Sequence, residues 1–146
     1  MRIYVLNGPN LNLIGTREPE IYGTVTLADV EELCHARAKE FGGEVIFRQS
    51  AHEGELVDWI HQAGAEASGL VINGAAYSHT SIAIYDALKN LNISIVEVHF
   101  SNIYTREEFR HHSYIAKVAQ GVVCGMGAQG YAYAIDFLCA QISNRV

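Results

Sequence analysis

The chain has 146 residues, 49% of them hydrophobic, and a formal net charge of −6 at pH 7. This size suits one domain with a sizeable core, and the acidic balance argues against nucleic-acid binding, which requires a basic surface. The apolar runs are too short to span a membrane, the N-terminus has no signal-peptide pattern, and the three cysteines are widely spaced. We therefore expect a single domain over residues 1–146, with reduced thiols, in the cytoplasm and without a membrane or nucleic-acid partner.

Short apolar runs and segments of helical periodicity alternate along the chain. We predict strands at 2–6, 44–49, 69–73, 93–99 and 121–125. We predict helices at 26–41, 53–65, 80–91, 105–114 and 128–142. This alternation is typical of a parallel sheet with right-handed crossovers and helices on both faces. It predicts an α/β fold, a three-layer sandwich with five strands in the flavodoxin-like order 2-1-3-4-5.

Polar side chains follow three of these strands. Asn10 comes just after the first strand, Asn73 ends the third, and Glu97 and His99 end the fourth. Ligands of open parallel sheets bind at the carboxyl ends of the strands. We therefore expect these four residues to meet in one crevice.

Two histidines are candidates for acid–base chemistry or ligand binding. Glu97 and His99 are two residues apart in a strand and share a face, so the carboxylate can orient an imidazole acting as acid or base. His79 lies in a Ser/Thr-rich segment before a predicted helix. That segment fits a helix cap, and His79 also fits a donor to a ligand hydroxyl; both interpretations stay open.

Three cations suggest an anionic substrate. Arg106 and Arg110 are four residues apart and would share a helix face at the crevice, although a solvated charged face is the ordinary interpretation. Arg17 lies in the segment 7–25, which is longer than usual strand–helix connections. Glycines at 15 and 23 make this segment a lid candidate.

Other chemistries find little support in the sequence. The pattern Gly125-x-Gly127-x-x-Gly130 matches a dinucleotide fingerprint, but it follows the last strand, so we interpret it as a tight turn with close helix packing. The sequence lacks the ligand spacing of a metal site, the nucleophile elbow of a serine hydrolase and a lysine near a strand end for a Schiff base. We expect neither a metal nor a cofactor. The remaining candidate side chains are tyrosine, histidine and arginine, which suit proton transfer next to a carbonyl.

Six separated motifs resemble those of type II 3-dehydroquinate dehydratase, a flavodoxin-like enzyme of the shikimate and quinate pathways. They are LNGPNLN at 6–12, REPEIYG at 17–23, DWIH at 58–61, NGAAYSHTS at 73–81, EVHFSN at 97–102 and REEFR at 106–110. The resemblance covers about residues 2–138. It implies a cofactor-free anti elimination of water from 3-dehydroquinate through an enolate, giving 3-dehydroshikimate, by a trimer-based homododecamer.

The resemblance also implies a role for each site residue. Tyr22 is the general base, and because a free tyrosine titrates near pH 10, Arg17 would stabilise its phenolate. His99 is the general acid, oriented by Glu97. Asn10 would hold a water on the enolate oxygen, and the backbone of Phe100 and Ser101 would hold the substrate carboxylate. The ring hydroxyls would be held by Asn73, His79 and Arg110. Arg106 would add to the positive field, and Asp86 would contact a neighbouring subunit's site.

Departures from the family pattern are small. Phe100 stands where isoleucine or leucine is expected, which affects only the shape of the pocket because its contact is through the backbone.

Two rival functions remain. A flavodoxin-like binding or signalling module would need an acidic pair or a Ser/Thr-rich loop after strand 1, where this chain has Asn7 and Asn10. A metal hydrolase would be sensitive to chelators.

Overall fold

A computed structural model describes residues 1–16, 20 and 23–145. Its parallel sheet has five strands in the order β2-β1-β3-β4-β5, as the sequence predicts. The strands are β1 (Arg2–Asn7), β2 (Glu44–Gln49), β3 (Gly69–Asn73), β4 (Ser94–His99) and β5 (Gly121–Cys124). Each lies within one residue of its predicted bounds.

Four of the five predicted helices form. They are α1 (Leu27–Glu40), α2 (Glu53–Glu66), α3 (Ile82–Lys89) and α4 (Gln129–Ser143). A capping box starts α1, in which the Thr26 side chain accepts a hydrogen bond from the Asp29 amide and the Asp29 carboxylate accepts one from the Thr26 amide. The Ser81 side chain accepts from the amide of Ile84, so α3 begins two residues later than predicted.

The three central strands, β1, β3 and β4, are buried on both faces, as expected for a parallel sheet covered by helices. Along β1, Ile3 and Val5 pack into one apolar cluster and Tyr4 and Leu6 into the other. The first cluster includes residues of α1 and α4, and the second includes residues of α2 and α3. Each fully buried Leu or Ile side chain contributes about 1.5–3 kcal/mol. The two clusters therefore hold the strand ends in a rigid frame.

The predicted helix at 105–114 is wrong. The chain forms two short 3₁₀ turns instead, Ile103–Thr105 and Glu108–Arg110, with a third at Ile115–Lys117. The Asn102 side chain accepts from the Tyr104 amide and the Thr105 hydroxyl donates to the Asn102 carbonyl. Such local side-chain bonds compete with a continuous helix. The backbone of Arg106 and Glu107 is extended.

The three cysteines are free, as the sequence predicts. Cys34 and Cys139 are buried in the core, and burial raises the pKa of Cys34 to about 12, so it stays a thiol at neutral pH. Within the described ranges, no helix combines the length and the apolar character that crossing a bilayer demands.

Candidate active site

A cleft opens at the carboxyl ends of β1, β3 and β4. Its volume of about 120 Å³ far exceeds the roughly 10–15 Å³ that one water molecule needs, so it admits a small organic molecule. Eight residues that the sequence predicts for the site line it. They are Asn10, Asn73, His79, His99, Phe100, Ser101, Arg106 and Arg110.

The floor of the cleft depends on a close approach between two loops. The amide of Gly8 donates to the carbonyl of Asn73 at 2.8 Å. A Cβ atom at Gly8 would lie 2.4 Å from the Gly74 carbonyl oxygen, so no larger residue fits without backbone movement. Asn10 follows with a left-handed backbone, φ +69°, which asparagine tolerates better than most residues. This conformation places Asn10 at the rim of the cleft.

Glu97 and His99 form a buried pair, as their spacing in the strand predicts. Nε2 of His99 lies 2.7 Å from Oε1 of Glu97. Glu97 is fully buried beneath the cleft, whereas His99, 5% exposed, lines it. With Nε2 held by the carboxylate, Nδ1 is the ring nitrogen of His99 left to exchange a proton with a ligand.

His79 approaches the same place from the 3₁₀ turn Ala75–His79 and stacks on His99. The ring centroids are 6.1 Å apart and the planes are 16° from parallel. Nδ1 of His79 lies 2.7 Å from the carbonyl oxygen of His112, which can only accept, so Nδ1 carries a proton. Burial lowers the pKa of His79, and positive charge on His99 and Arg110 lowers it further. A neutral His79 therefore offers Nε2 as an acceptor for a ligand hydroxyl, which reverses the donor role considered from the sequence.

Asn73 is tied into a buried chain of hydrogen bonds. Its Nδ2 donates to the Tyr131 hydroxyl at 3.0 Å, and that hydroxyl donates to Oδ1 of Asn7 at 2.7 Å. Its Oδ1 accepts from the amide of Ala75 at 3.1 Å. Burial raises the pKa of Tyr131 far above its usual value, so the phenol stays neutral. The network orients Asn73 and leaves its second amide hydrogen for a ligand.

Arg106 and Arg110 reach the cleft from consecutive turns, and not from one helix face as predicted. Nε of Arg110 lies 2.7 Å from Oε2 of Glu107, and Nε of Arg106 lies 3.9 Å from the same oxygen. The hydrogen bond from Arg110 lowers the pKa of Glu107, so the carboxylate stays ionised. Both guanidinium groups line the cleft, so this wall carries positive charges that can attract an anionic ligand.

Phe100 and Ser101 follow β4 and line the cleft. The Phe100 carbonyl accepts from the amide of Gly127 at 3.0 Å, and the Phe100 ring packs on Tyr131 with centroids 5.3 Å apart. Gly127 belongs to the glycine pattern 125–130. Positive φ values at Gly125 and Gly127, and a Cβ position at Gly130 only 3.2 Å from Val123, confirm a tight turn with close helix packing.

Comparison with known proteins identifies the family. The family model described as dehydroquinase class II matches residues 1–139. The chain belongs to this family.

Close relatives share most of their length with this class II chain. The 3-dehydroquinate dehydratase of Acidovorax sp. (strain JS42) is 58% identical over 141 residues, covering 93% of this chain and 95% of that protein. The 3-dehydroquinate dehydratase of Streptomyces avermitilis is 62% identical over 139 residues, covering 94% and 87%. The crystal structure of the type II dehydroquinase from Propionibacterium acnes superimposes with a TM-score of 0.92 at 46% identity, covering 95% and 96%. As a class II dehydroquinase the chain is a hydro-lyase.

One residue that the resemblance implies lies away from the cleft lining, and two others fall outside the described residues. Asp86 is exposed on α3 and is not among the lining residues. Arg17 and Tyr22 lie outside the described residues. Among the described residues, no group of three or more His, Cys, Asp or Glu side chains is arranged to hold a metal ion.

Sequence reasoning missed three residues of this class II site. Ser113 donates to Oε1 of Glu97 at 2.5 Å, His112 accepts from His79, and Tyr131 bridges Asn7 and Asn73. A tyrosine on an apolar helix face was a usable signal, because a buried phenol needs a hydrogen-bond partner. The contacts of Ser113 and His112 had no local sequence signal.

Proposed function

We propose that this chain removes water from 3-dehydroquinate by anti elimination through an enolate, giving 3-dehydroshikimate. The observation that carries the proposal is the buried Glu97–His99 pair, which presents an imidazole to a cleft with a cationic wall. The substrate is an anion that carries a ketone and hydroxyl groups. These groups need a positive wall, polar partners and a proton donor next to the leaving hydroxyl.

In the first step, the phenolate of Tyr22 takes the proton next to the ketone, and the C–H electron pair becomes the enolate. Arg17 stabilises both the phenolate and the developing negative charge. A water held by Asn10 hydrogen-bonds the enolate oxygen. The roles of Tyr22 and Arg17 rest on family membership alone.

In the second step, the enolate collapses to the ketone, a carbon–carbon double bond forms, and the C–O bond to the hydroxyl breaks. Protonated His99 gives its proton to that hydroxyl, which leaves as water. Glu97 stabilises the imidazolium before the transfer, and its burial is consistent with a strong interaction, because solvent does not screen the pair. A proton then returns from Tyr22 to His99 through solvent.

The remaining groups hold the substrate. Backbone amides of Phe100 and Ser101 bind its carboxylate, and Arg106 adds to the positive field. Asn73, His79 and Arg110 bind ring hydroxyls, with His79 accepting through Nε2. The orientation of Asn73 by Tyr131 and of His79 by His112 supports this arrangement.

We also propose that the chain acts as one catalytic domain in an assembly of trimers, four to a dodecamer. Asp86 would reach the site of a neighbouring subunit. Its exposure on α3, with the exposed Ile82 one turn earlier on the same helix face, is consistent with a subunit contact there. The three free cysteines suit a reducing compartment, so we place the enzyme in the cytoplasm, in aromatic biosynthesis or quinate catabolism.

The test is to add 3-dehydroquinate to metal-stripped protein and follow the ultraviolet absorbance of the conjugated enone. A rise that is lost in Tyr22→Phe and in His99→Ala supports the reaction and its acid–base pair. No rise from folded wild-type protein would refute the proposal and favour a binding module. Activity that returns only with added metal would favour the metal hydrolase.

A further inference from the structure

The fully buried carboxylate of Glu97 has its hydrogen bonds on one oxygen. Oε1 accepts from Nε2 of His99 at 2.7 Å and from Oγ of Ser113 at 2.5 Å. Oε2 has no hydrogen-bond partner within the described part of the chain. A buried carboxylate is costly unless it is paired and hydrogen-bonded. Ser113 therefore supplies one of the two bonds that stabilise this charge.

The direction of the Ser113 bond follows from its other contact. Oγ of Ser113 accepts from the amide of Ala116 at 3.2 Å, so a lone pair is used there. The single hydroxyl proton is then free to donate to Glu97, and a carboxylate oxygen that receives it is an acceptor. His99 must donate to the same oxygen through Nε2–H. This leaves Nδ1 of His99 for the substrate.

Ser113 belongs to a short segment that is attached to the turn carrying His79. The carbonyl of His112 accepts from Nδ1 of His79 at 2.7 Å, and the amide of Tyr114 donates to the carbonyl of Ser78 at 2.8 Å. These neighbours hold residue 113 in place beside Glu97.

We propose that Ser113 is a positioning residue that acts through Glu97, keeping the carboxylate as an acceptor and His99 with Nδ1 available to the substrate. This proposal rests on the proposed dehydration, in which His99 is the acid. Ser113 itself does not need to touch the substrate.

The first test compares Ser113→Ala and Ser113→Thr in the dehydroquinate assay. Loss of a hydrogen bond to a charged group should lower kcat by about 10- to 100-fold in Ser113→Ala, with KM nearly unchanged. Ser113→Thr keeps the hydroxyl and should recover most of the lost turnover. Ser94→Ala removes a hydroxyl at the opposite end of β4 and should leave turnover unchanged. Wild-type kcat in Ser113→Ala would overturn the proposal.

The second test asks whether Ser113 works through Glu97. Ser113→Ala should lower turnover little further when Glu97→Gln is already present, because Glu97→Gln has already changed the bond to His99 that Ser113 supports. An equal fold-loss in both backgrounds would overturn the proposal and indicate a general structural effect.

The third test needs no turnover. Nitrogen-15 NMR of the histidine rings in the unliganded protein should show that the neutral form of His99 carries its proton on Nε2 in wild type. In folded Ser113→Ala, checked by thermal unfolding, the ring should populate both tautomers. An unchanged His99 spectrum would overturn the proposal. If wild-type protein fails to dehydrate dehydroquinate, the proposed function fails, and this spectrum still decides the role of Ser113 in orienting the pair.

Discussion

His79 and His99 stack in the cleft with their ring centroids 6.1 Å apart and their planes 16° from parallel. They come from different elements, a 3₁₀ turn after β3 and the end of β4. An acceptor fixes one nitrogen of each ring. The His112 carbonyl holds Nδ1 of His79, and the Glu97 carboxylate holds Nε2 of His99. The two imidazoles are therefore prepared for different tasks, one neutral and accepting, the other paired with an anion.

Removal of the acid should nearly abolish turnover. We expect His99→Ala to lower kcat by about 10²- to 10⁴-fold, the usual contribution of general acid–base catalysis. The measurement is the initial rate of enone formation at saturating substrate. His35→Ala, on the exposed side of α1, is the matched control and should keep the wild-type rate. Near-normal turnover of His99→Ala would contradict the assignment.

Tyr22→Phe should separate binding from chemistry. The substitution removes the proton acceptor and keeps the ring, so we expect kcat to fall while the affinity for 3-dehydroquinate changes little. Calorimetric titration of the inactive variant measures that affinity directly. If the variant turns over substrate at a normal rate, Tyr22 is not the base.

Stability should decline in acid partly through His79. Its pKa in the folded chain lies below the ordinary value of about 6.5, chiefly because burial disfavours the charged ring. The unfolded chain therefore binds more protons as the pH falls below about 6.5, and stability is lost as the pH falls toward the folded pKa. Urea unfolding at pH 7.5 and 5.5 should show a smaller loss in His79→Asn than in wild type. An equal loss in both proteins would assign the pH dependence to other groups.

Tyr131→Phe should destabilise the fold from beneath the cleft. It leaves the buried Oδ1 of Asn7 and an amide hydrogen of Asn73 without their shared partner, at a cost of about 1–3 kcal/mol. Chemical denaturation measures this difference. Tyr133→Phe removes a hydroxyl from a half-exposed ring two residues along α4 and should cost almost nothing. Equal effects in the two variants would mean that the network adds no stability.

Gly8→Ala should be poorly tolerated. The added Cβ would meet the Gly74 carbonyl oxygen at 2.4 Å, and relieving that overlap requires movement of the backbone under the cleft. We expect a loss of about 1–3 kcal/mol in stability together with reduced turnover. Gly54→Ala, in α2 with nothing within 4 Å of its Cβ position, should be neutral or slightly stabilising. A Gly8→Ala variant as stable as wild type would contradict the close approach.

Most of the sheet could be predicted because its signals are local. Apolar runs that start at or just after a glycine predicted β2 and β3 at their observed residues, and the spacing of Glu97 and His99 predicted their shared face. The helix at 105–114 was wrong because side-chain bonds around Asn102 compete with helical hydrogen bonds, which periodicity does not register. The catalytic and binding roles of all the site residues, including Tyr22, Arg17 and Asp86, stay predictions.

The sequence by itself determined the strand order, the family and the edge of the sheet where the polar residues meet. Only the tertiary structure decided which partner each polar group has. Ser113 meets Glu97 across sixteen residues, and Tyr131 meets Asn7 across 124. Hydrophobic periodicity indicates which face of an element is buried. A hydrogen bond forms only when two atoms come within about 3 Å of each other, and whether they do so depends on how whole elements pack.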